Sequence, residues 1–541
     1  MEHFAVDFLF PEFKIWEQYS VDAFGDALRL DSLRSSHPII VPIIHAEEVD
    51  QVFDAISYRK GSVVVKMIST IIGDDKFREG LQIYMQKHAY GNTETEDLWK
   101  VWSEVSGKDI GKIMSTWTKV TGYPYITITS ETWTSEEILI TLEQSRFISD
   151  GSEESLDYPL WSIPLIFETS DMISGSAVIM DKKRQTFSIK IKKSTENNWL
   201  KINAGQKALI RVVHSPNLIT KLTLAIKNNQ LKPIDRAALL LDSYALVKAG
   251  LAPLEDLVYI LKSLDNEDNH IVWGAIQSIL SGLYNLMEQT ENKSVFDSFV
   301  KFGKTLIVKV LKRIGWDGKK NEVHTDKLLR STIFSLLHHF AWDDIDVVTE
   351  ARRRFDLHFT NPLILPNEYK TTVYKIVLMN GGIKEYESIL KTFRDTNDNQ
   401  EKKYALYSLG SSLDLNLKKR TLDWAVKSGE VKLQDFFYGI GAVASNLEGS
   451  LLCWKYLKDN FQLIKSMLLN ASPSLMDATI VNSVHQFCTI EKADEIQSFF
   501  EINPLPNSVR RISQLLEAMR ANGNMLNKIK KSNLSEESFW N

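Results

Sequence analysis

Eleven histidines and two cysteines are the side chains of this 541-residue chain best suited to hold a metal or act as nucleophiles, and their spacing serves neither purpose. A hydrolytic zinc site needs two histidines one helical turn apart so that both imidazoles face one ion. It also needs a glutamate between them to activate water and a third ligand downstream. No pair has that spacing: His37 and His45 are too far apart, and His338 and His339 are neighbours read as pointing to different helix faces. His3, His88, His214, His270, His324, His358 and His485 stand alone and read as surface or core hydrogen-bonding residues. His45-Ala46-Glu47-Glu48 looks like a fragment of a ligand set, but its second histidine is missing and it reads as a solvated acidic loop. The chain also lacks a Gly-x-Ser-x-Gly elbow, a phosphate-cradling glycine loop and a Cys-x-x-Cys pair. Metal coordination by these residues alone is not expected.

The elements that would carry any site fall into three stretches. From residue 1 to 122 the pattern is helical: Val63, Val64, Met67, Ile68, Ile71 and Ile72 recur at helical spacing with Gly73 as a stop, and Phe77, Leu81 and Tyr84 repeat the period. Thr93-Glu94-Thr95-Glu96 fits a capping box ahead of Leu98, Trp102 and Val105, and Gly107 suits the left-handed residue after that helix. From 123 to 214 the period turns to alternation, in Tyr125 to Thr129, Ile138 to Leu142, Trp161 to Phe167, Ala177 to Met180, Phe187 to Lys192 and Trp199 to Ile202. These short strands read as a small antiparallel β-sandwich. From 215 to 541 amphipathic helices follow one another, among them Asp235 to Ala249, Leu254 to Leu264, Ile271 to Met287, Val295 to Arg313 and Lys327 to Phe340. So many short helix pairs cannot share one core and should stack as a curved, HEAT-like α-solenoid. The expected fold is mainly α with a small β-sandwich.

Composition narrows the partners. A net charge of −5 and an apolar fraction of 44% are ordinary for a globular chain, which at this length should form about two to four domains. The basic runs Lys182-Lys183-Arg184 and Arg352-Arg353-Arg354 are offset by acidic residues elsewhere and read as solvated faces, so nucleic acid is not an expected partner. Cys453 and Cys488 lie in apolar helical context and read as buried free thiols. The amino terminus carries Glu2 and Asp7 and no basic region, unlike a signal peptide, and no run approaches the roughly eighteen apolar residues of a membrane span. A cytoplasmic protein without a membrane partner is expected.

The stretch Phe53-Asp54-Ala55-Ile56-Ser57-Tyr58-Arg59-Lys60-Gly61, the amphipathic Ser62 to Gly73, and Trp117-Thr118-Lys119-Val120-Thr121-Gly122-Tyr123-Pro124 together resemble zinc aminopeptidases of the puromycin-sensitive, gluzincin type. Later segments extend the likeness in the same order: Asp235-Arg236-Ala237, Gly315-Trp316-Asp317, Lys327-Leu328-Leu329-Arg330-Ser331, Glu350-Ala351-Arg352-Arg353-Arg354-Phe355 and Gly429-Glu430-Val431-Lys432-Leu433-Gln434-Asp435. One departure falls at Ala208-Leu209-Ile210-Arg211, where the family usually reads Gly-Phe-Tyr-Arg.

The resemblance implies that residues 1–122 are the carboxy-terminal helical half of a thermolysin-like catalytic domain, and that zinc is the family's cofactor and peptides its substrates. It implies a catalytic role for Tyr58 alone, as the phenol that donates to the oxyanion forming on the scissile carbonyl. Read by itself, Tyr58 is a tyrosine packed at the start of a helix. Arg330 is placed as a substrate-binding cation facing the inside of the helical domain, where it would meet a peptide carboxylate. Read by itself, it is a surface or helix-pairing arginine.

The family's His-Glu-x-x-His and Gly-x-Met-Glu-Asn motifs do not occur in these residues, so the chain is expected to hold no zinc and to be inactive alone. Two readings stay open: a truncated product or gene model of an aminopeptidase, and a non-catalytic paralogue that binds peptides or another protein. Helices of residues 1–120 should leave apolar side chains such as Phe4, Phe8, Leu9, Val64 and Ile68 exposed, which a missing catalytic half or another protein would cover.

Overall fold

Glycine, proline and capping residues punctuate this chain often enough that no helix among the described residues exceeds about six turns, and the result is a mainly α protein with one small β region. The computed structural model describes residues 2–44, 54–152, 154–155, 157–171, 175–192 and 198–540. The His45-Ala46-Glu47-Glu48 stretch and Phe53 lie outside them. Contacts divide the chain into two units, Met1–Ile276 and Gln277–Asn541.

The first unit opens with α1 (Glu2–Leu9), α2 (Ile15–Val21) and α3 (Ala23–Leu30), followed by a π-helical turn at Ile56–Lys60. Then come α4 (Gly61–Ile72), α5 (Asp74–Lys87), α6 (Thr95–Ser106) and α7 (Ile110–Thr118). The stripe read from α4 is its core face, since Val63, Val64, Met67, Ile68 and Ile71 are buried. The expected exposure is therefore corrected in part. Val64 and Ile68 pack inside the unit, and Phe4 is half-buried against Trp16 and Phe77, whereas Phe8 and Leu9 are 85% and 63% exposed. A second correction concerns the capping box, whose N-cap is Glu94, with the Asp97 carboxylate accepting the Glu94 N–H at 3.0 Å. The Thr93 hydroxyl is engaged by Tyr84 Oη at 2.6 Å instead.

Among the described residues eight strands follow: β1 (Pro124–Trp133), β2 (Glu137–Arg146), β3 (Ile163–Leu165), β4 (Phe167–Thr169), β5 (Val178–Met180), β6 (Arg184–Lys190), β7 (Leu200–Ile202) and β8 (Arg211–Val213). A four-stranded sheet has the order β6-β2-β1-β8, and β3–β5 and β4–β7 form two-stranded ribbons. Alternation fixes the register: Ile126, Ile138, Ile140 and Leu142 are wholly buried while their strand neighbours are not. The sheet is mixed rather than antiparallel, because β8 pairs with β1 in parallel, Tyr125 opposite Arg211. The run Ala208-Leu209-Ile210 before β8 is buried throughout, so it carried no alternation to announce a strand.

Three helices complete the unit, α8 (Pro216–Lys227), α9 (Pro233–Ala249) and α10 (Leu254–Ser263), and α11 (His270–Glu288) crosses the division. The contact boundary thus falls inside a helix rather than at the change from strands to helices.

The second unit continues with α12 (Lys293–Ile314), α13 (His324–Phe340), α14 (Ile345–His358), α15 (Asn367–Met379), α16 (Ile383–Asp395), α17 (Asn399–Leu409) and α18 (Leu415–Lys427). It ends with α19 (Phe436–Val443), α20 (Leu447–Asp459), α21 (Phe461–Met467), α22 (Pro473–Val484), α23 (Ile490–Ile502), α24 (Val509–Ile529) and α25 (Glu537–Trp540). One layer runs α13, α15, α17, α19, α22, α24, each helix against the next, and α12, α14, α16, α18, α20 and α23 cover it one by one. This is a solenoid of helix pairs. Its end meets its beginning: Trp540 of α25 packs on Phe299 of α12 at 5.0 Å, and Gln289 binds the Gln486 carbonyl and the Cys488 N–H. No helix among the described residues is long and apolar enough to cross a membrane.

Candidate functional site

Tyr58 sits in the middle of the π-helical turn that leads into α4, and its side chain is 64% exposed. Wide helical turns of this kind cluster at functional positions, because one extra residue re-aims a side chain that a regular helix would direct elsewhere. Here the turn is fastened on both sides. Before it, the Asp54 carboxylate accepts the Ser57 N–H at 2.9 Å while the Asp54 carbonyl accepts the Tyr58 N–H at 3.2 Å. His37 braces that carboxylate, with Nε2 2.6 Å from Oδ2 and Nδ1 2.8 Å from the Pro38 carbonyl. Burial opposes ionisation of Asp54, but the Ser57 and His37 contacts outweigh it and hold the carboxyl below its ordinary range.

After Tyr58, Lys60 turns inward and is fully buried. Its Nζ lies 2.8 Å from Asp31 Oδ2 and donates to the carbonyls of Val120 and Gly122 at 3.1 and 3.0 Å. Asp31 in turn accepts the Gly122 N–H at 3.0 Å and the Ser36 hydroxyl at 2.7 Å. The two motifs that carried the resemblance are therefore one structure: the lysine of the first binds the backbone of the second. Gly122 is required there, since its φ is +81° and an added Cβ would lie 2.7 Å from Arg146 Nε. Tyr123 continues the chain of contacts, donating to the Leu28 carbonyl at 2.8 Å and accepting from Arg211 Nε at 3.1 Å. Arg211 pairs with Asp242 of α9 at 2.8 Å, so the replacement of its preceding residues by Ala208, Leu209 and Ile210 leaves this anchor intact.

Residues far from Tyr58 that share the resemblance are also structural. Asp317 and Arg354 form a two-pronged pair at 2.9 and 2.6 Å, and the Arg354 Nε reaches Glu350 at 2.7 Å. Arg330 belongs to the same knot. Its guanidinium binds the Glu322 carboxylate and the carbonyls of Ile314 and Gly315, and its side chain is 7% exposed. A peptide carboxylate could reach it only by displacing Glu322, so this geometry supports a helix-pairing role. Asp31, Asp54 and His37, to which sequence reasoning gave no part at Tyr58, are the residues that fasten its turn. Only the acid within the Tyr58 motif, Asp54, carried a local hint.

The resemblance implies zinc as the cofactor. Among the described residues no group of three or more His, Cys, Asp or Glu gathers around one point. Of the lone histidines, His358 has its Nε2 2.8 Å from Tyr374 Oη, and burial pushes His214 down to about 3, with Lys201 adding to the effect. The described residues do not fit a zinc site.

The chain thus has a helical body with a surface tyrosine on a fastened turn, then a β region, then a solenoid of helix pairs. Comparison with known families agrees: the peptidase family M1 domain matches residues 1–117, and the ERAP1-like C-terminal domain matches residues 199–521. Aminopeptidase M1 of Arabidopsis thaliana is 32% identical over 549 residues, covering 98% of this chain and 60% of the relative. Aminopeptidase 2 of Candida albicans is 30% identical, covering 96% and 55%, and the alanine/arginine aminopeptidase of Saccharomyces cerevisiae is 30% identical, covering 94% and 58%. The chain belongs to the M1 aminopeptidase family with an ERAP1-like C-terminal domain. It spans about 60% or less of the length of these curated relatives.

Proposed function

We propose that these residues form the carboxy-terminal part of a zinc metalloaminopeptidase that removes amino-terminal residues from peptides, with Tyr58 as its oxyanion donor. The observation that carries the reading is the mounting of Tyr58: an exposed phenol on a turn whose flanking residues Asp54 and Lys60 are tied to His37, Asp31 and Gly122. A turn held this firmly limits the backbone reorganisation needed when charge develops on a carbonyl oxygen, a condition for stabilising a transition state rather than a substrate. A single oxyanion donor contributes about 10²–10³ in rate, far short of peptide hydrolysis. Activity therefore requires the His-Glu-x-x-His helix and the Gly-x-Met-Glu-Asn loop from residues other than these 541. The exposed Phe8, Leu9 and Phe10 are surface that such a part would cover. A cytoplasmic setting agrees with Cys453 and Cys488 both being buried free thiols.

The test measures zinc by elemental analysis and amino-acid release from aminoacyl-amides, with the chain alone and after joining it to a polypeptide bearing both missing motifs. Alone it should hold no stoichiometric zinc and release nothing; joined, it should gain activity that depends on Tyr58. One tightly bound zinc per isolated chain, or joined activity indifferent to Tyr58→Phe, overturns the reading.

A further inference from the structure

The end of β2 and the segment that leads on to β3 enclose a cleft of about 480 Å³ in the first unit, which Gly250 and Leu251, just past α9, also line. Local bonds build it. Gln144, wholly buried, clamps the backbone of Trp161: its Oε1 accepts the Trp161 N–H at 2.9 Å and its Nε2 donates to the Trp161 carbonyl at 3.0 Å. Two residues on, the Arg146 side chain is 8% exposed and donates from Nη1 to Glu154 Oε2 at 2.6 Å. Its guanidinium lies over the Tyr158 ring, with Cζ 4.8 Å from the ring centre, and the Tyr158 hydroxyl is fixed by donating to the Thr121 carbonyl at 2.7 Å.

The polar side chains that line this cleft are short of acceptors. Its two carboxylates are taken: Glu143 accepts Arg184 Nε at 3.0 Å, and Glu154 accepts Arg146 and the Ser155 N–H. Two donors are left over. The Arg146 Nε–H and the Trp161 indole N–H are buried and find no acceptor among the described residues. Lys183, on an exposed side chain of the same lining, has three N–H groups and gives one to Ser145 Oγ at 3.1 Å. Buried donors are nearly always answered in folded proteins, and one that is not marks a place where an acceptor from outside gains what the fold does not supply.

We propose that this cleft binds a small organic carboxylate, with Arg146, Trp161 and Lys183 as its donors and Ile148, Leu160 and Leu251 against its apolar body. An ionised carboxylate only accepts hydrogen bonds, which is the complement of a lining whose own acceptors are spent, and bonds to it from a guanidinium and an ammonium are charge-assisted. The apolar side chains favour an organic body over an inorganic anion, because burying hydrocarbon on them adds a gain that phosphate cannot offer. The volume suits a ligand of amino-acid size. Both left-over N–H groups are covered in this arrangement, so the carboxylate reaches them with a small shift of the side chains over the cleft. The site lies in the β region, apart from the turn of Tyr58, and the inference uses no part of the aminopeptidase reading.

The experiment titrates the purified full chain by calorimetry with leucine, 4-methylpentanoate, leucinamide and inorganic phosphate. At least one of the two carboxylates should give a saturable isotherm and bind about tenfold or more tightly than leucinamide. Binding of leucine alone names a free amino acid as the source of the carboxylate, and binding of 4-methylpentanoate names a simple organic acid. Lys183→Met, a change on an exposed side chain, should weaken that binding by about two- to fivefold. Trp161→Phe keeps an aromatic ring without the N–H and should weaken it by about tenfold, with circular dichroism showing that the variant is folded. Binding of neither carboxylate, equal binding of leucinamide, or binding of phosphate in place of both overturns the inference on the wild-type chain alone. So does full affinity retained by Lys183→Met and by a folded Trp161→Phe, which would put the carboxylate elsewhere.

Discussion

Asp31 and Lys60 form an ion pair of 2.8 Å in which neither side chain is exposed to solvent. The pair joins α3 to the turn bearing Tyr58, and the remaining contacts of both partners go to Gly122, Val120 and Ser36. Burial pushes the Lys60 ammonium below its ordinary value, and the attraction of Asp31 works against that push. A buried charge left alone costs more than the pair contributes.

Lys60→Met should therefore destabilise the first unit by about 3–5 kcal/mol, and adding Asp31→Asn should recover part of that loss. Urea unfolding followed by tryptophan fluorescence checks both, with the transition of the second unit as an internal reference. An unmoved first transition in Lys60→Met would remove the pair from the account of how Tyr58 is mounted.

Tyr58→Phe should leave stability within about 0.5 kcal/mol of the wild-type value, because the hydroxyl is on an exposed side chain. In the joined enzyme the same change should lower kcat by about 10²–10³ with little effect on KM. Steady-state kinetics on an aminoacyl-amide gives the split, and a loss confined to KM would argue for simple substrate contact.

Arg330→Met should unfold the second unit more easily rather than alter peptide affinity. The guanidinium is shielded from solvent close beneath the surface, and its removal strands Glu322 and the carbonyls of Ile314 and Gly315, a loss of about 1.5–3 kcal/mol. Peptide affinity at a temperature where the variant is folded should match the wild type; a specific loss of peptide binding there would return Arg330 to the ligand.

Glu495 supplies a pH test. Burial opposes its ionisation, yet donors from Lys458 at 2.8 Å, Lys492 at 2.6 Å and Trp454 at 2.7 Å bring the carboxyl down to about 2. A folded value below the unfolded one means stability present above about pH 4.5 and lost as pH falls from there toward 2. Acid titration of the melting temperature should show less loss in that window for Glu495→Gln than for the wild type, while starting lower at neutral pH.

Much of the fold was legible because burial on one face leaves a period in the sequence. The α4 stripe, the limits of α9 to α13 and most strands followed from it, and the missing metal spacing followed from histidine positions alone. Tyr58 became a candidate through the motif around it, since nothing in a lone tyrosine distinguishes a donor from a packing residue. Periodicity could not show that β8 would run parallel to β1, because a three-residue strand after a wholly buried run has no alternation to display.

The sequence by itself determined which stretches are helical or extended and where the family motifs stand. Only the tertiary structure decided which charges meet: that Lys60 is answered by Asp31 and that Arg330 is already held by Glu322. The physical reason is that a period reports one face of one element, whereas the partner of a buried charge is set by how distant elements pack against each other.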